Sequence, residues 1–133
     1  VDLKDKKDIL YKPVEKIIHS LRKRKIKAPI IVFPKGLETT IIEYIKNVKA
    51  DVLSIDYNID MDWLLKNIRK DVVLQGNLNP ELLVKGGEKL DEEVLKIKNF
   101  VGNRQHIFNL GHGLLPETPI KNVHRFIELI RRQ

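Results

Sequence analysis

The residue of this sequence with the clearest potential for chemistry is His112, which stands between two glycines. It follows a short apolar run and precedes a helix-patterned segment, so we expect it on a strand-to-helix loop. Ligands of α/β proteins bind on that side of the sheet. A histidine there can donate a hydrogen bond to a carboxylate whether it is neutral or charged. The pattern predicts a ligand contact at His112, and the competing interpretation is a histidine that hydrogen-bonds its own loop.

Four more polar side chains follow the other apolar runs, namely Lys35, Asp56, Gln75 and Asn77. A carboxylate at a strand end can act as a general acid, although such an aspartate more often ties its loop together. Amides at strand ends usually satisfy loop backbone. Lys35 can meet an anion or pair with Asp56 or Glu38. The residue types alone leave these roles open.

The other three histidines carry no comparable signal. His19 and His124 fall in helical segments, and His106 precedes an apolar run. No two histidines have the spacing of a metal-binding pair, and the chain has no cysteine, which excludes disulfides, thiolate nucleophiles and cysteine-ligated zinc. We therefore expect no metal site in this chain.

The elements that position these residues alternate between helix and strand. Helical periodicity covers 8–25, 38–48, 61–68, a short turn from Pro80, 91–100 and 120–130, with Asp60 or Asp62 as an N-terminal acid and Trp63 in the core. Short apolar runs that predict strands cover 28–33, 52–55, 72–75 and 106–110, and the run at 28–33 is typical of a strand buried on both faces. Connections of this length predict parallel strands with right-handed crossovers. Such units form either an open sheet or half of a (β/α)8 barrel.

Composition places the chain among globular proteins. The 133 residues are 42% hydrophobic and 32% charged, which fits one α/β domain over 1–133. No apolar run approaches the roughly 20 residues of a membrane span, and no signal-peptide pattern is visible. These features, with the lack of cysteine, favour a cytoplasmic protein that binds no membrane.

Positive charge is concentrated at the start of the chain. The formal net charge is +7, and the basic residues before position 28 are Lys4, Lys6, Lys7, Lys12, Lys16, Arg22, Lys23, Arg24, Lys25 and Lys27. Such a cluster is either a nucleic-acid footprint or a solvated lysine-rich helix, and it can also attract a polyanionic small molecule. Only Tyr11 among aromatic residues interleaves with it, so the solvated helix is favoured and we expect no nucleic-acid partner.

The strand ends carry a family resemblance. They read Val32-Phe33-Pro34-Lys35-Gly36, Leu53-Ser54-Ile55-Asp56-Tyr57, Leu74-Gln75-Gly76-Asn77-Leu78-Asn79-Pro80 and Phe108-Asn109-Leu110-Gly111-His112-Gly113. In order and spacing they resemble the C-terminal portion of the uroporphyrinogen decarboxylase family, over almost the whole chain. Two positions depart from the family pattern, Asn79 where aspartate is usual and Tyr57 where tryptophan is common, which indicates a divergent member.

The resemblance implies a cofactor-free TIM-barrel enzyme of haem biosynthesis, usually a homodimer. Such enzymes remove the four acetate carboxyl groups of uroporphyrinogen III to give coproporphyrinogen III. This chain would be about the C-terminal half of the barrel, with only His112 carried over as a substrate-binding residue and no catalytic residue. The family's arginine-rich loop and pyrrole-binding aspartate have no counterpart here, so we expect the isolated chain to be inactive.

Two other functions remain as alternatives. Corrinoid-linked methyltransferases share the barrel, but their zinc ligands include cysteines, which this chain lacks. A flavodoxin-like module that binds an anion or nucleic acid through the basic N-terminal helix would need a strand ahead of that helix or a different strand order. Half a barrel would also expose two sheet edges and an apolar inner face, so we expect either a dimer that completes the core or an accompanying N-terminal piece.

Overall fold

The computed structural model describes residue 5 and residues 7–132, so Lys4 and Lys6 of the basic cluster lie outside the described residues. Within that part, the strands are Ile31–Val32 (β1), Val52–Ser54 (β2), Val73–Gln75 (β3) and His106–Ile107 (β4). The α-helices are Lys12–Lys23 (α1), Ile41–Asn47 (α2), Met61–Asn67 (α3), Pro80–Lys85 (α4), Glu88–Val101 (α5) and Ile120–Arg131 (α6). A π-helical turn, Lys7–Tyr11, precedes α1, and a 3₁₀ turn, Glu38–Thr40, precedes α2.

The sheet is parallel, with the strands in chain order β1-β2-β3-β4. When right-handed crossovers always advance in one direction, every helix lies on the same face of the sheet. That is the arrangement of a (β/α)8 barrel, whose helices form the outer ring. A flavodoxin-like sheet reverses its strand order at a switch point. The predicted parallel α/β fold of a partial TIM barrel is therefore confirmed, and the flavodoxin-like alternative does not fit the strand order.

The register separates a covered face from an open one. Val32, Leu53 and Leu74 lie side by side and are buried under the helices. On the other face the apolar side chains Ile31, Phe33 and Ile107 are 48%, 43% and 41% exposed. The prediction that the strand at 28–33 is buried on both faces is therefore wrong, because helices cover only one side of the sheet.

Several predicted boundaries need correction. The first strand is only Ile31–Val32 and the fourth ends at Ile107, beyond which Leu110 makes a single bridge to Leu78. The helix predicted at 91–100 begins earlier, at Glu88, directly after Gly86 and Gly87. The other boundaries fall within a few residues of prediction.

Two of the short helices are N-capped by side chains. The Asp60 carboxylate accepts hydrogen bonds from the backbone N–H groups of Asp62 (2.9 Å) and Trp63 (3.2 Å), which identifies Asp60 as the N-cap of α3. Trp63 itself is only partly buried against the core. The Asn79 side chain accepts from the Glu81 N–H at 2.9 Å and caps α4, which confirms the turn predicted at Pro80. Asparagine and aspartate cap helices about equally well, so Asn79 preserves this function where the family usually has aspartate.

A buried amide that the sequence did not reveal joins the last helix, α6, to the helix α4. Asn122 is 8% exposed, and its Nδ2 donates to the carbonyls of Leu83 (2.8 Å) and Val84 (3.0 Å) at the end of α4. Carbonyls in a last helical turn lack intrahelical partners. Asn122 therefore satisfies the end of one helix from the first turn of another.

The basic first helix has partly structural roles. Arg22 donates to the carbonyls of Ile26 and Ala28, both at 2.9 Å, and to the Asp51 carboxylate at 2.5 Å. Two apolar side chains of the segment predicted as helical at 8–25, Ile9 in the π-helical turn and Ile17 in α1, are 67% and 60% exposed, so its apolar side is only partly covered. The expectation of no nucleic-acid partner stays a prediction. Among the described residues, no helix is both long and apolar enough to span a membrane.

His106 lies on the covered face of the sheet, next to Leu74. Its ring packs edge-on against Phe108 with centroids 4.7 Å apart, and its buried ring nitrogens make no hydrogen bond of normal geometry. Burial lowers the pKa of His106, an effect that the neighbouring Gly76 backbone offsets in part. The sequence did not reveal this burial, because the apolar run that follows His106 is too short for its period-two alternation to be a strong signal.

We expect His106 to make the fold acid-sensitive. An unfolded histidine titrates near pH 6.5, and below that pH the unfolded chain binds a proton that folded His106 resists, so stability falls as pH falls. Urea unfolding at about pH 7.5 and about pH 5.5 measures this loss. His106→Leu should reduce the difference between the two pH values, whereas His124→Leu, at an exposed histidine, should leave it unchanged. Equal differences in both variants would contradict the prediction.

Candidate functional site at the carboxyl ends of the strands

Residues at or just after the ends of the four strands line one shallow cavity of about 260 Å³ on the uncovered face of the sheet. Each strand contributes to its wall because parallel strands end at the same edge. The lining residues are Ile31, Phe33, Ser54, Gln75, Asn109, Leu110, His112 and Gly113. The lining combines apolar surface with neutral polar groups and contains no carboxylate.

His112 is exposed at the rim of this cavity and contacts residues from the opposite end of the sheet. Its Nε2 lies 2.9 Å from the Nζ of Lys35, which follows β1. Its ring also stands nearly perpendicular to that of Phe33, with centroids 6.4 Å apart and planes at 80°. The structure therefore joins Lys35 to His112 across the cavity mouth, and not to Asp56 or Glu38.

The first flanking glycine has a packing role. A Cβ added at Gly111 would lie 2.2 Å from the backbone nitrogen of Tyr57 and 2.6 Å from its Cα. At Gly113 an added Cβ would meet no atom within 4 Å. Gly111 therefore lets the loop that carries His112 rest directly on the loop after β2, whereas Gly113 is under no such constraint.

Asp56 and Asn77 tie loops together below the cavity. Asp56 is 4% exposed, and its carboxylate accepts from the backbone N–H (3.1 Å) and side-chain amide (3.2 Å) of Asn58. The buried Asn77 amide donates to the carbonyls of Asp56 (3.3 Å) and Ile59 (3.1 Å). Both residues satisfy loop backbone, in agreement with the structural interpretation of strand-end polar groups, and neither lines the cavity.

Gln75 does line the cavity, together with two residues that the sequence did not single out. Gln75 is half-buried and its Nε2 lies 3.3 Å from the hydroxyl of Ser54. Asn109 is exposed, and its Oδ1 accepts from the N–H of Leu110 at 2.8 Å. The available signal was the alternation of strand side chains, since Asn109 lies two residues after Ile107 and shares its face.

A second cavity, of about 430 Å³, lies between the loops after β2 and β3 and the helix α5. Its wall includes Asp60, Asp62, Glu93 and Lys96 but neither His112 nor Lys35. In the part of the chain that the structure describes, no three histidine, aspartate or glutamate side chains gather closely enough to hold a metal ion. The cavity at His112 is the one on which all four strand ends converge, and we take it as the candidate site.

Comparison with known proteins decides the family. The family model described as uroporphyrinogen decarboxylase (URO-D) matches residues 2–133. This chain belongs to the uroporphyrinogen decarboxylase family. The family identification and the partial-barrel topology support each other, and the flavodoxin-like alternative is not favoured.

Comparison with individual members of the uroporphyrinogen decarboxylase family shows what share of this chain and of each relative the match covers. The uroporphyrinogen decarboxylase of Orientia tsutsugamushi (strain Boryong) is 41% identical over 125 residues, which cover 93% of this chain and 36% of the relative. The enzyme of Jannaschia sp. is 40% identical over 119 residues, covering 90% and 35%, and that of Rickettsia canadensis is 38% identical over 124 residues, covering 93% and 36%. The chain thus spans about a third of the length of these curated relatives.

Proposed function

We propose that this chain supplies the His112-bearing wall of the substrate cleft in a uroporphyrinogen decarboxylase. The enzyme would convert uroporphyrinogen III to coproporphyrinogen III by removing four acetate carboxyl groups, in haem biosynthesis. The observation that carries the proposal is the pair of His112 and Lys35, 2.9 Å apart at the mouth of the strand-end cavity.

The lining of the cavity suits one arm of a porphyrinogen. An imidazole N–H and a lysine ammonium both donate to carboxylates, and hydrogen bonds with a charged partner are the stronger kind. The apolar side chains Ile31 and Phe33 offer surface for a pyrrole ring, and the amides of Gln75 and Asn109 can donate to further carboxylate oxygens. These groups can hold and orient an acetate or propionate arm, with His112 as the substrate-binding residue.

The cavity is too small for the whole substrate. Pockets that enclose drug-sized ligands measure roughly 300–1,000 Å³, whereas this cavity measures about 260 Å³ and a tetrapyrrole is larger than such ligands. We therefore propose that these residues grip one side arm, and that the remaining walls come from the parts of the family's barrel that this chain does not match.

The described residues also lack a group placed for the chemical step. Decarboxylation at a pyrrole requires a proton donor and a negative charge that stabilises the resulting cation. No carboxylate lines the cavity, and Asp56 is buried with its Oδ1 hydrogen-bonded to Asn58. On this basis we propose that the chain binds part of the substrate and does not catalyse the reaction alone.

We expect no turnover of uroporphyrinogen by the isolated 133-residue chain. We expect turnover by a chimera in which the chain replaces the matching segment of the Orientia tsutsugamushi enzyme, because the relative then supplies the missing walls. The measurement is chromatography of the oxidised porphyrin products. Detectable coproporphyrin from the isolated chain, or a folded chimera that gives none, would contradict the proposal.

We further propose that the protein acts in the cytoplasm as a homodimer, as the family resemblance implies. The exposed apolar side chains Ile31, Phe33 and Ile107 support an association that covers the open face, either with a second copy or with the rest of a barrel. The mass of the chain in size-exclusion chromatography with light scattering, at several concentrations, tests self-association. A chain that stays monomeric at every concentration would contradict self-association.

A further inference from the structure

We propose that Lys35 is a positioning residue that fixes the tautomer of His112, so that the ring proton resides on Nδ1 and is offered to an anionic ligand. The inference deepens the proposed function, on which it rests for the identity of the ligand alone. The tautomer itself follows from contacts between residues of this chain.

The chemistry of the two side chains sets the direction of their hydrogen bond. A lysine ammonium has three N–H donors and no acceptor. The ring nitrogen that faces it at 2.9 Å, Nε2 of His112, must therefore accept and carry no proton. In a neutral histidine the remaining nitrogen then carries the hydrogen, because the bond made at one ring nitrogen decides the state of the other. Free neutral histidine prefers the opposite tautomer, with the proton on Nε2.

Lys35 makes no described ion pair that would compete with its contact to His112. Among the residues that the structure describes, no carboxylate lies within ion-pair distance of its Nζ, and the Oδ1 of Asp56 accepts hydrogen bonds from Asn58. Phe33 stands edge-on to the imidazole on one side, with the ring centroids 6.4 Å apart. Lysine and histidine thus approach from the first and last strands with no competing acceptor described between them.

A ligand at the mouth of the cavity therefore meets two kinds of hydrogen-bond donor. Nδ1–H of His112 gives one directed hydrogen bond, and the two remaining ammonium protons of Lys35 add a full positive charge close by. A carboxylate fits both donors, whereas a ligand group that can only donate fits neither. Lys35 therefore acts through the histidine and also favours anionic arms by its charge.

The test is an NMR correlation between the ring protons and ring nitrogens of the histidines, recorded on the ¹⁵N-labelled chain at about pH 8, where an ordinary histidine is neutral. We expect the His112 pattern to show a protonated Nδ1 and an unprotonated Nε2. In Lys35→Met the two nitrogens should exchange their characteristic shifts, and in Lys35→Arg, which keeps a donor-only side chain, the original pattern should return. Lys89→Met removes an exposed lysine of α5 and should change nothing.

Two results would overturn the inference. One is a wild-type His112 that carries its proton on Nε2, and the other is a Lys35→Met variant that keeps the wild-type pattern. Because Lys35 is exposed, the methionine variant should fold, and the unchanged resonances of His106 would show that it does. The assignment is made without substrate, so its failure would leave the proposed function standing, and an inactive chimera would leave the tautomer standing.

Discussion

Gly111→Ala should be among the most damaging single substitutions in this chain, lowering the free energy of unfolding by about 3 kcal/mol or more. The added methyl would lie 2.2 Å from the backbone nitrogen of Tyr57 and 2.6 Å from its Cα. Backbone atoms cannot rotate away as a flexible side chain can, so one of the two loops must move. Urea unfolding measures the loss, and the His112 ring resonances should shift because their loop is displaced.

The second glycine of the same motif provides the matched control. Gly113→Ala places its methyl where no atom lies within 4 Å, and its φ is not in the left-handed region. The expected change in stability is within about 0.5 kcal/mol, as for an ordinary surface position. If both alanine variants were equally stable, Gly111 would not be the contact that holds the His112 loop on the loop after β2.

Asn77→Asp should be comparably destabilising, by about 3 kcal/mol at neutral pH. The Asn77 amide is buried and donates to the carbonyls of Asp56 and Ile59. A carboxylate of the same shape cannot donate, and it would be buried against two acceptor oxygens, which is more costly than an unpaired neutral group. Protonation restores one donor, so the variant should recover part of its stability relative to wild type as the pH falls.

Asn109→Asp is the control for this change. Asn109 is exposed, and its Oδ1 accepts from the N–H of Leu110, a bond that a carboxylate oxygen also makes. We expect it to change the free energy of unfolding by less than about 0.5 kcal/mol at neutral pH. Paired urea titrations at neutral and mildly acidic pH compare the two variants. A neutral-pH stability for Asn77→Asp equal to that of wild type would mean that Asn77 is not the donor linking the two loops.

Periodicity in the sequence was enough to predict the parallel α/β fold. Short β-branched runs separated by crossover-length segments admit few arrangements, and the strand-end motifs indicated the barrel. The same signal failed at the first strand, where Ile31 and Phe33 are exposed, and on the first helix, where Ile9 and Ile17 are. An apolar run shows that a residue can be buried, but burial also depends on which neighbours are present to cover it.

The candidate site was predictable in part. His112 stood out because glycines flanked it at a strand end, and the structure places it at the cavity. Its contact with Lys35 was not predictable, because 77 positions separate the two residues and only the pairing of the four strands in one sheet brings them together. Asn122 gave no signal either, since an asparagine in a first helical turn looks the same whether it is solvated or donates to another helix.

The most direct test of the central claim, that His112 contacts the substrate, is the kcat/KM of the chimera for uroporphyrinogen before and after His112→Ala. The loss of a hydrogen bond to a charged carboxylate should lower kcat/KM about 10- to 100-fold. His124→Ala, at an exposed histidine of α6, should leave it unchanged. A folded His112→Ala chimera with the kcat/KM of its parent would contradict the account.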